Sequence, residues 1–231
     1  MKRAYRTVEV VTGTGGFGVA LDGKPLDTPK RRPLRLPTHG LAEAIAAEWA
    51  AQGDTVRPWT MPLMQIAATA LDEVARRRPQ LIGEIAGYAE TDSLCYRAER
   101  PAELARRQAE FWQPLLDWAA VRFDASLAVT QGIAPLPQPA GAVAALRAAV
   151  ERLGDLELAA LALAVSACGS VVLGLALIEG RLDAEAATRT SLLDELYQAE
   201  LWGEEEAAAA RRTAIGRDIA AAAEFVRLLQ G

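Results

Sequence analysis

The sequence predicts an α+β protein in which a small N-terminal β-containing domain, residues 1–60, precedes a larger all-helical domain, residues 61–231. Two observations carry this prediction. Short apolar runs separated by Gly and Pro turns fill the first part of the chain, which is typical of strands and hairpins. After Pro62, the apolar side chains recur at helical spacing. With 231 residues, the chain is long enough to bury a sizeable core.

The N-terminal strands are expected to form hairpins. Tyr5–Val11 and Phe17–Leu21 have strand-like patterns and are separated by a glycine-rich turn. Asp22-Gly23 favours a type I′ turn, because both central positions of that turn need positive φ. The prolines that follow, up to Pro37, predict edge strands and bends, since proline cannot donate a ladder hydrogen bond.

A series of helices is expected from Thr38 onward. The first helix is predicted to end at Gly53, and a short strand is predicted at Leu127–Thr130. One continuous helix is predicted from Asp183 to about Trp202. The residues expected at or near helix starts are Thr38, Pro62, Pro101, Asp183 and Glu204, because these residue types cap or open helices.

Residues 158–178 contain no charged side chain, and the helical domain is organised around them. A run of about 20 apolar residues is long enough to span a bilayer. Its many small residues and the lack of flanking Trp or Tyr favour a buried core segment instead. Ser166–Ser170 can divide the run into two helices, with Ser170 as the cap of the second. We expect Leu163 and Leu173 to be almost fully buried.

Composition excludes several classes of function. A formal net charge of −5 without a basic stripe argues against nucleic acid as the main partner. Cys95 and Cys168 lie far apart and lack metal-ligand spacing, which fits a reduced cytosolic protein without a metal site. The basic first residues have no apolar segment behind them, so they do not form a secretory signal.

Gly13–Gly18 matches the pattern G-x-G-x-x-G of dinucleotide-binding loops. Such a loop must open a helix, whose N-terminus holds the pyrophosphate. The residues that follow instead predict a strand and a hairpin, so we interpret the motif as a turn. His39, the one histidine, has no nucleophile context and is expected at a surface or a helix cap. No catalytic or cofactor-binding residue is predicted.

Two pairs of an acid and a tryptophan are candidate partner-binding residues. Glu48 and Trp49 lie in the first helix, and Glu200 and Trp202 lie near the end of the next-to-last helix. An acid beside an amphipathic aromatic side chain suits protein contacts. Alternatively, both tryptophans fill the core, and Glu200 pairs with an arginine of the last helix such as Arg211 or Arg212.

A series of motifs covers nearly the whole chain in order. Together they resemble the assembly chaperones of the ATP synthase α subunit, which are found in mitochondria and α-proteobacteria. The motifs are Leu21–Pro29, Leu41–Trp49 with Gln52-Gly53, Met61–Leu63, Asp92–Arg97, Trp112–Trp118, Glu179–Asp183 and Gln198–Gly203.

This resemblance implies a protein that is not an enzyme and needs no cofactor. It implies binding to the unassembled α subunit of the catalytic head, whose interface would be shielded until the β subunit arrives. The acidic position of the family corresponds to Glu200, and its helix tryptophan to Trp49. We expect a monomer without membrane insertion. Because no mitochondrial presequence is visible, we expect a bacterial cytoplasmic protein. The alternatives are a nucleotide-binding enzyme that uses Gly13–Gly18 and a helical membrane adaptor.

Overall fold

A computed structural model describes residues 2–231 and confirms the α+β class, with a small strand region near the N-terminus and a mostly helical remainder. The strands are β1 (Val8–Gly13), β2 (Gly16–Leu21), β3 (Lys24–Pro25), β4 (Tyr96–Arg97) and β5 (Thr130–Gln131). The helices are α1 (His39–Ala50), α2 (Pro62–Thr69), α3 (Ala75–Gly87), α4 (Ala102–Phe123), α5 (Ala140–Glu151), α6 (Asp155–Cys168), α7 (Val171–Ile178), α8 (Ala184–Ser191), α9 (Leu193–Trp202) and α10 (Glu206–Leu229).

The described chain forms two compact units. One comprises the chain up to Arg78 together with Gly154–Ala160 and Ala221–Gly231. The other comprises Pro79–Leu153 and Leu161–Ala220. The predicted domain boundary after residue 60 stays a prediction.

In the first unit, three antiparallel strands are arranged in the order β1-β2-β3. Asp22 and Gly23 have φ values of 49° and 75°, which confirms the predicted type I′ turn. Helix α1 packs on this sheet, and the Thr38 side chain accepts a hydrogen bond from the Leu41 amide to cap it. The helix ends at Ala50, before the predicted Gly53, and Ala51 is its C-cap.

The apolar segment 158–178 forms two helices, as expected. Helix α6 ends at Cys168, and Gly169 has a φ of 66°, which reverses the chain without a Cβ clash. The Ser170 side chain then accepts from the Leu173 amide and caps α7. All eight residues of α7 are buried, including Leu173. This segment is therefore core, as predicted.

The burial expected for Leu163 is wrong, because its side chain is half-buried. Leu163 lies on the side of α6 that also carries the exposed Ser166, three residues further on. Residues three or four apart share a face of a helix. The uncharged part of α6 thus still turns one stripe towards water.

The predicted helix between Asp183 and Trp202 is broken at Leu192, whose φ of −99° and ψ of 14° are not helical. Just before the break, the hydroxyl of Ser191 donates to the carbonyl of Thr188 (3.0 Å). Short hydroxyl side chains that bond the backbone in this way weaken a helix. The prediction that Asp183 caps a helix is confirmed, because its side chain accepts a hydrogen bond from the Ala186 amide.

A second small sheet lies within the part predicted to be all helical. Strands β4 and β5 pair in parallel, with Tyr96 opposite Thr130 and Arg97 opposite Gln131. The strand predicted at Leu127–Thr130 is therefore displaced to Thr130–Gln131. A two-residue parallel pair depends on a distant partner, so local patterning does not predict its register.

Candidate functional site

A groove of about 580 Å³ lies between α4, α8 and α9 in the second unit. We call it the α4–α8–α9 groove. Its apolar lining comes from Phe111, Pro114, Leu115, Leu182, Ala186, Leu193 and Leu196. Its polar lining comes from Arg107, Glu110, Arg181, Arg189, Thr190 and Glu200. Apolar surface rimmed by charged groups is the composition expected of a protein-binding surface.

The side of α4 that faces α9 is fixed by buried hydrogen bonds. Gln108, which is 1% exposed, donates from Nε2 to Oδ1 of Asp194 (2.8 Å) and accepts from the Ala98 amide (2.7 Å). Trp112 donates from its indole nitrogen to the carbonyl of Thr190 (2.9 Å). Burial also raises the pKa of the Asp194 carboxyl. The bond to Asp194 ties α4 to α9 and the bond to Thr190 ties α4 to α8, so the groove is built into the fold.

Glu200 lines the groove and forms an ion pair with Arg107 of α4, with 2.8 Å between Oε2 and Nη1. Arg107 also contacts Glu103 (3.0 Å) and lies over the ring of Tyr197. The hydrogen bonds to Glu200 and Glu103 raise the pKa of the Arg107 guanidinium. The alternative partners considered from sequence, Arg211 and Arg212, pair with other acids: Arg211 with Glu195 and Arg212 with Glu204. That alternative is wrong for Glu200.

Arg181 is a cation at the rim of the groove. It is exposed, and within residues 2–231 it makes no side-chain hydrogen bond or ion pair. Arg189, also on the rim, is already paired with Glu185 (3.0 Å). Arg181 is thus available for a carboxylate of a partner at low cost in intramolecular contacts.

Trp202 and Leu201 form the exposed end of α9. Their side chains are 78% and 56% exposed. Gly203 ends the helix with a φ of 87°, so both apolar side chains are presented at a fixed helix terminus. Exposed large aromatics beside an apolar groove are frequent anchors in protein interfaces. The structure therefore brings two of the predicted residues, Glu200 and Trp202, to one end of α9.

The other predicted pair, Glu48 and Trp49, lies in the first unit at the end of α1. The Glu48 carboxylate accepts from the amides of Leu63 and Met64 (both 2.8 Å) and so holds the N-terminus of α2. Trp49 is 8% exposed and packs edge-on against Tyr5. The burial of Trp49 agrees with the alternative in which this tryptophan fills the core. A partner-binding role for this pair stays a prediction.

The motif Asp92–Arg97 has a structural explanation in the second unit. The buried Asp92 carboxylate accepts from the Ser170 hydroxyl (2.9 Å), the Val172 amide (3.2 Å) and the Leu94 amide (3.1 Å). Burial raises its pKa to about 6. Arg97 lies over the Trp112 ring. The motif therefore joins α7 to the core instead of providing a reactive site.

Sequence reasoning missed Arg107, Phe111, Arg181 and Arg189 as groove residues. The sequence spacing indicates one of these contacts: Phe111 follows Arg107 by four residues, so the two side chains share a face of α4. A phenylalanine among the apolar residues of this helix suggests burial, but 51% of the Phe111 side chain is exposed. Arg181 precedes the Asp183 cap in an unremarkable loop, so no local pattern identifies it.

The described chain does not show a nucleotide-binding loop, a metal-ligand cluster, an activated thiol or a membrane-spanning helix. Gly13–Gly18 forms the tip and flanks of the β1–β2 hairpin, and the next helix begins at His39. No group of three or more metal-ligand side chains occurs within residues 2–231. Burial raises the pKa of both Cys95 and Cys168 to about 12, so neither is an activated thiol. None of the helices in that range combines the length and apolar character needed to cross a bilayer.

The sequence and the fold of this chain are similar to those of several known proteins. The family model of the ATP12 chaperone protein matches residues 2–120. The crystal structure of Atp12 from Paracoccus denitrificans superimposes with a TM-score of 0.92 at 41% identity, covering 99% of this chain and 98% of that chain. A point variant of the same Paracoccus protein gives the same TM-score and identity. The mitochondrial protein atp12 of Schizosaccharomyces pombe is 26% identical over an alignment of 214 residues, which covers 87% of this chain and 74% of that protein.

These matches identify the class of protein: a chaperone that acts in assembly of the ATP synthase. The chain belongs to the ATP12 chaperone family.

Proposed function

We propose that this protein binds the unassembled α subunit of the ATP synthase catalytic head and shields its interface until the β subunit arrives. The observation that carries the proposal is the α4–α8–α9 groove, which combines apolar lining with the Glu200–Arg107 ion pair and with Arg181, a cation unpaired within the described residues 2–231. An isolated ring subunit exposes apolar interfaces that aggregate or pair wrongly. A complementary surface prevents this without any chemical step.

The charges of the groove suggest the kind of client surface that it binds. Glu200 can exchange Arg107 for a client cation, because Arg107 retains Glu103 as a second partner (3.0 Å). Arg181 can pair with a client carboxylate. An apolar client side chain would lie between them, against Phe111 and Leu196. Such paired charges fix the orientation of a partner, and close pairs also contribute to its affinity.

The protein acts in this proposal as a monomeric holding protein of the bacterial cytoplasm, not as an enzyme. A holding protein needs a reversible surface and no cofactor. The thiols with raised pKa and the hairpin formed by Gly13–Gly18 support this reading. Glu48 and Trp49 are retained as a second candidate contact, although their present hydrogen bonds and packing are intramolecular.

The direct test is to dilute separately purified α and β subunits from denaturant into buffer that contains this protein. We expect suppression of α-subunit light scattering and formation of a one-to-one complex on a sizing column. The β subunit serves as the control and should aggregate as it does alone. Equal protection of both subunits, or of neither, would contradict the proposal.

A further inference from the structure

Arg107 lies between a carboxylate and an aromatic ring that both belong to α9. Its Nη1 atom is 2.8 Å from Oε2 of Glu200, and its guanidinium carbon is 5.1 Å from the centre of the Tyr197 ring. Tyr197 precedes Glu200 by three residues, so the ring and the carboxylate share a face of α9. This combination suits a guanidinium group, which is planar, weakly hydrated and stacks on aromatic rings. Helix α9 therefore carries a guanidinium site, and a side chain of the same chain occupies it.

Arg107 uses only part of this site. Its Nε atom donates to Oε1 of Glu103, one turn earlier in α4 (3.0 Å), while Nη1 donates to Glu200. The donors of one guanidinium are thus divided between two carboxylates. Within residues 2–231, the second carboxylate oxygen of Glu200, Oε1, accepts no hydrogen bond. A guanidinium that engaged both oxygens of Glu200 would form the stronger bidentate arrangement.

Release of Arg107 from Glu200 would leave the Arg107 charge paired. Glu103 remains its partner, and hydrogen bonds from Arg106 and Arg107 lower the pKa of the Glu103 carboxyl to about 2, so this acid is charged at neutral pH. The Arg107 side chain is 32% exposed, which gives the released Nη1 atom access to water. Ion pairs at such exposure contribute little to stability. A ligand can therefore separate Glu200 from Arg107 at low cost.

The guanidinium site opens into the α4–α8–α9 groove. Arg107 and Glu200 both line this groove, one from α4 and the other from α9. Phe111 and Leu196 also line it, and each lies four residues from one member of the pair, on the same helix face. Long cationic side chains bury their aliphatic stems along apolar surface of this kind. An incoming arginine would thus find a carboxylate for its head and apolar surface for its stem.

We propose that the client group bound at Glu200 is an arginine side chain, and that Arg107 competes with it by occupying the same site in the free protein. The inference rests on the proposed function, because the client is the α subunit of that proposal. It differs in sign from a role in which Arg107 holds Glu200 in position. Removal of a competitor strengthens client binding, whereas removal of a positioning residue weakens it.

The affinity of Arg107→Ala for purified α subunit tests the competition. We expect binding roughly two- to fivefold tighter than that of the wild type, because an exposed ion pair is a weak competitor. Arg106→Ala is the matched control, since Arg106 also pairs with Glu103 (2.9 Å) but does not line the groove. This control should bind as the wild type does. Unchanged or weaker binding by folded Arg107→Ala overturns the inference.

A small cation tests the guanidinium site without the α subunit. N-ethylguanidinium, a mimic of the arginine head, is titrated into ¹⁵N-labelled Arg107→Ala while the amide signals of Tyr197 and Glu200 are followed by NMR. We expect saturable shifts that ethylammonium at the same concentration does not produce, because an ammonium group lacks the planar fork. Adding Glu200→Gln to this variant should abolish them. Equal responses to the two cations, or no response to either, overturn the inference.

The two experiments separate failure of this inference from failure of the proposed function. Each variant must first show a thermal transition close to that of the wild type, and Arg107→Gln replaces Arg107→Ala if the latter unfolds. A wild type that does not bind the α subunit contradicts the proposed function, and the inference about the client falls with it. A wild type that binds α, combined with a failed cation titration, overturns this inference and leaves the proposed function intact.

Discussion

Asp92 is a buried carboxylate whose ionisation affects the stability of the second unit. Three hydrogen bonds from Ser170, Val172 and Leu94 support the charged form, but loss of hydration outweighs them and raises the pKa from 3.8 to about 6. The folded protein therefore binds this proton more tightly than the unfolded chain does. The contribution of Asp92 to stability is fully present below pH 4 and is lost as the pH rises through 6.

We expect the free energy of unfolding of the wild type, relative to that of Asp92→Asn, to fall by up to about 3 kcal/mol between pH 4 and pH 7. Chemical denaturation of both proteins across this range measures the difference. Asp22→Asn is the control with opposite sign. Hydrogen bonds from the Thr7 and Arg6 amides lower the pKa of the Asp22 carboxyl, so its contribution is lost as the pH falls. A wild-type stability that rises with pH relative to that of Asp92→Asn would contradict this account.

Single residues also mark the limit of what sequence could predict about the site. The position of Glu200 near the end of a helix was predictable, but its partner Arg107 lies 93 positions away in the chain. The burial of Trp49 was left open, because an amphipathic helix end can face either core or partner. Contacts between distant segments decide both questions, and one sequence does not show them.

The contact between helices α6 and α7 shows why the apolar segment contains small residues. A Cβ atom on Gly174 would lie 2.5 Å from Cγ2 of Val165 and 3.0 Å from Cδ1 of Leu161. The two helices therefore approach one another at a distance that a larger residue does not allow.

Gly174→Ala should destabilise the protein by roughly 1–3 kcal/mol, because the added methyl group overpacks the contact with α6. Gly141→Ala in α5 is the matched control, since a Cβ atom there would have no neighbour within 4 Å. Removal of a helical glycine at such a site stabilises by about 0.4–1 kcal/mol. Both values can be obtained from urea denaturation. Equal effects at the two positions would show that helix propensity, and not packing, determines the cost.

Element types were more predictable than element ends. Capping residues correctly located the starts of α1, α7 and α8, because an N-cap is a local interaction between a side chain and the next turn. The break at Leu192 and the parallel pair β4–β5 were not predicted. The first depends on competing backbone hydrogen bonds near Ser191, and the second on a partner more than thirty residues away.

At the scale of the whole molecule, the account predicts no response to nucleotides. The Gly13–Gly18 hairpin has no helix N-terminus to hold a phosphate. Addition of ATP or NAD should therefore leave the melting temperature unchanged. A ligand at about 100 times its dissociation constant would stabilise the protein by roughly 2.7 kcal/mol. A clear upward shift in differential scanning fluorimetry would support the nucleotide-binding alternative.

The central claim is that the groove beside Glu200 binds the α subunit. Two carboxylates of α9 allow a matched comparison, because Glu200 pairs with Arg107 (2.8 Å) in the groove, whereas Glu195 pairs with Arg211 (2.5 Å) and does not line it. Glu200 is exposed and Glu195 is half-buried, and replacing either acid by glutamine should change stability by no more than about 0.5 kcal/mol.

The decisive measurement is the affinity of Glu200→Gln and Glu195→Gln for purified α subunit, determined by calorimetric titration alongside the melting temperature of each variant. The account predicts that Glu200→Gln binds α roughly tenfold or more weakly, as expected for a lost charged hydrogen bond of about 1.5–3 kcal/mol, while Glu195→Gln binds like the wild type. Equal affinity of the two variants, or a loss of binding that only follows a loss of folding, would contradict it.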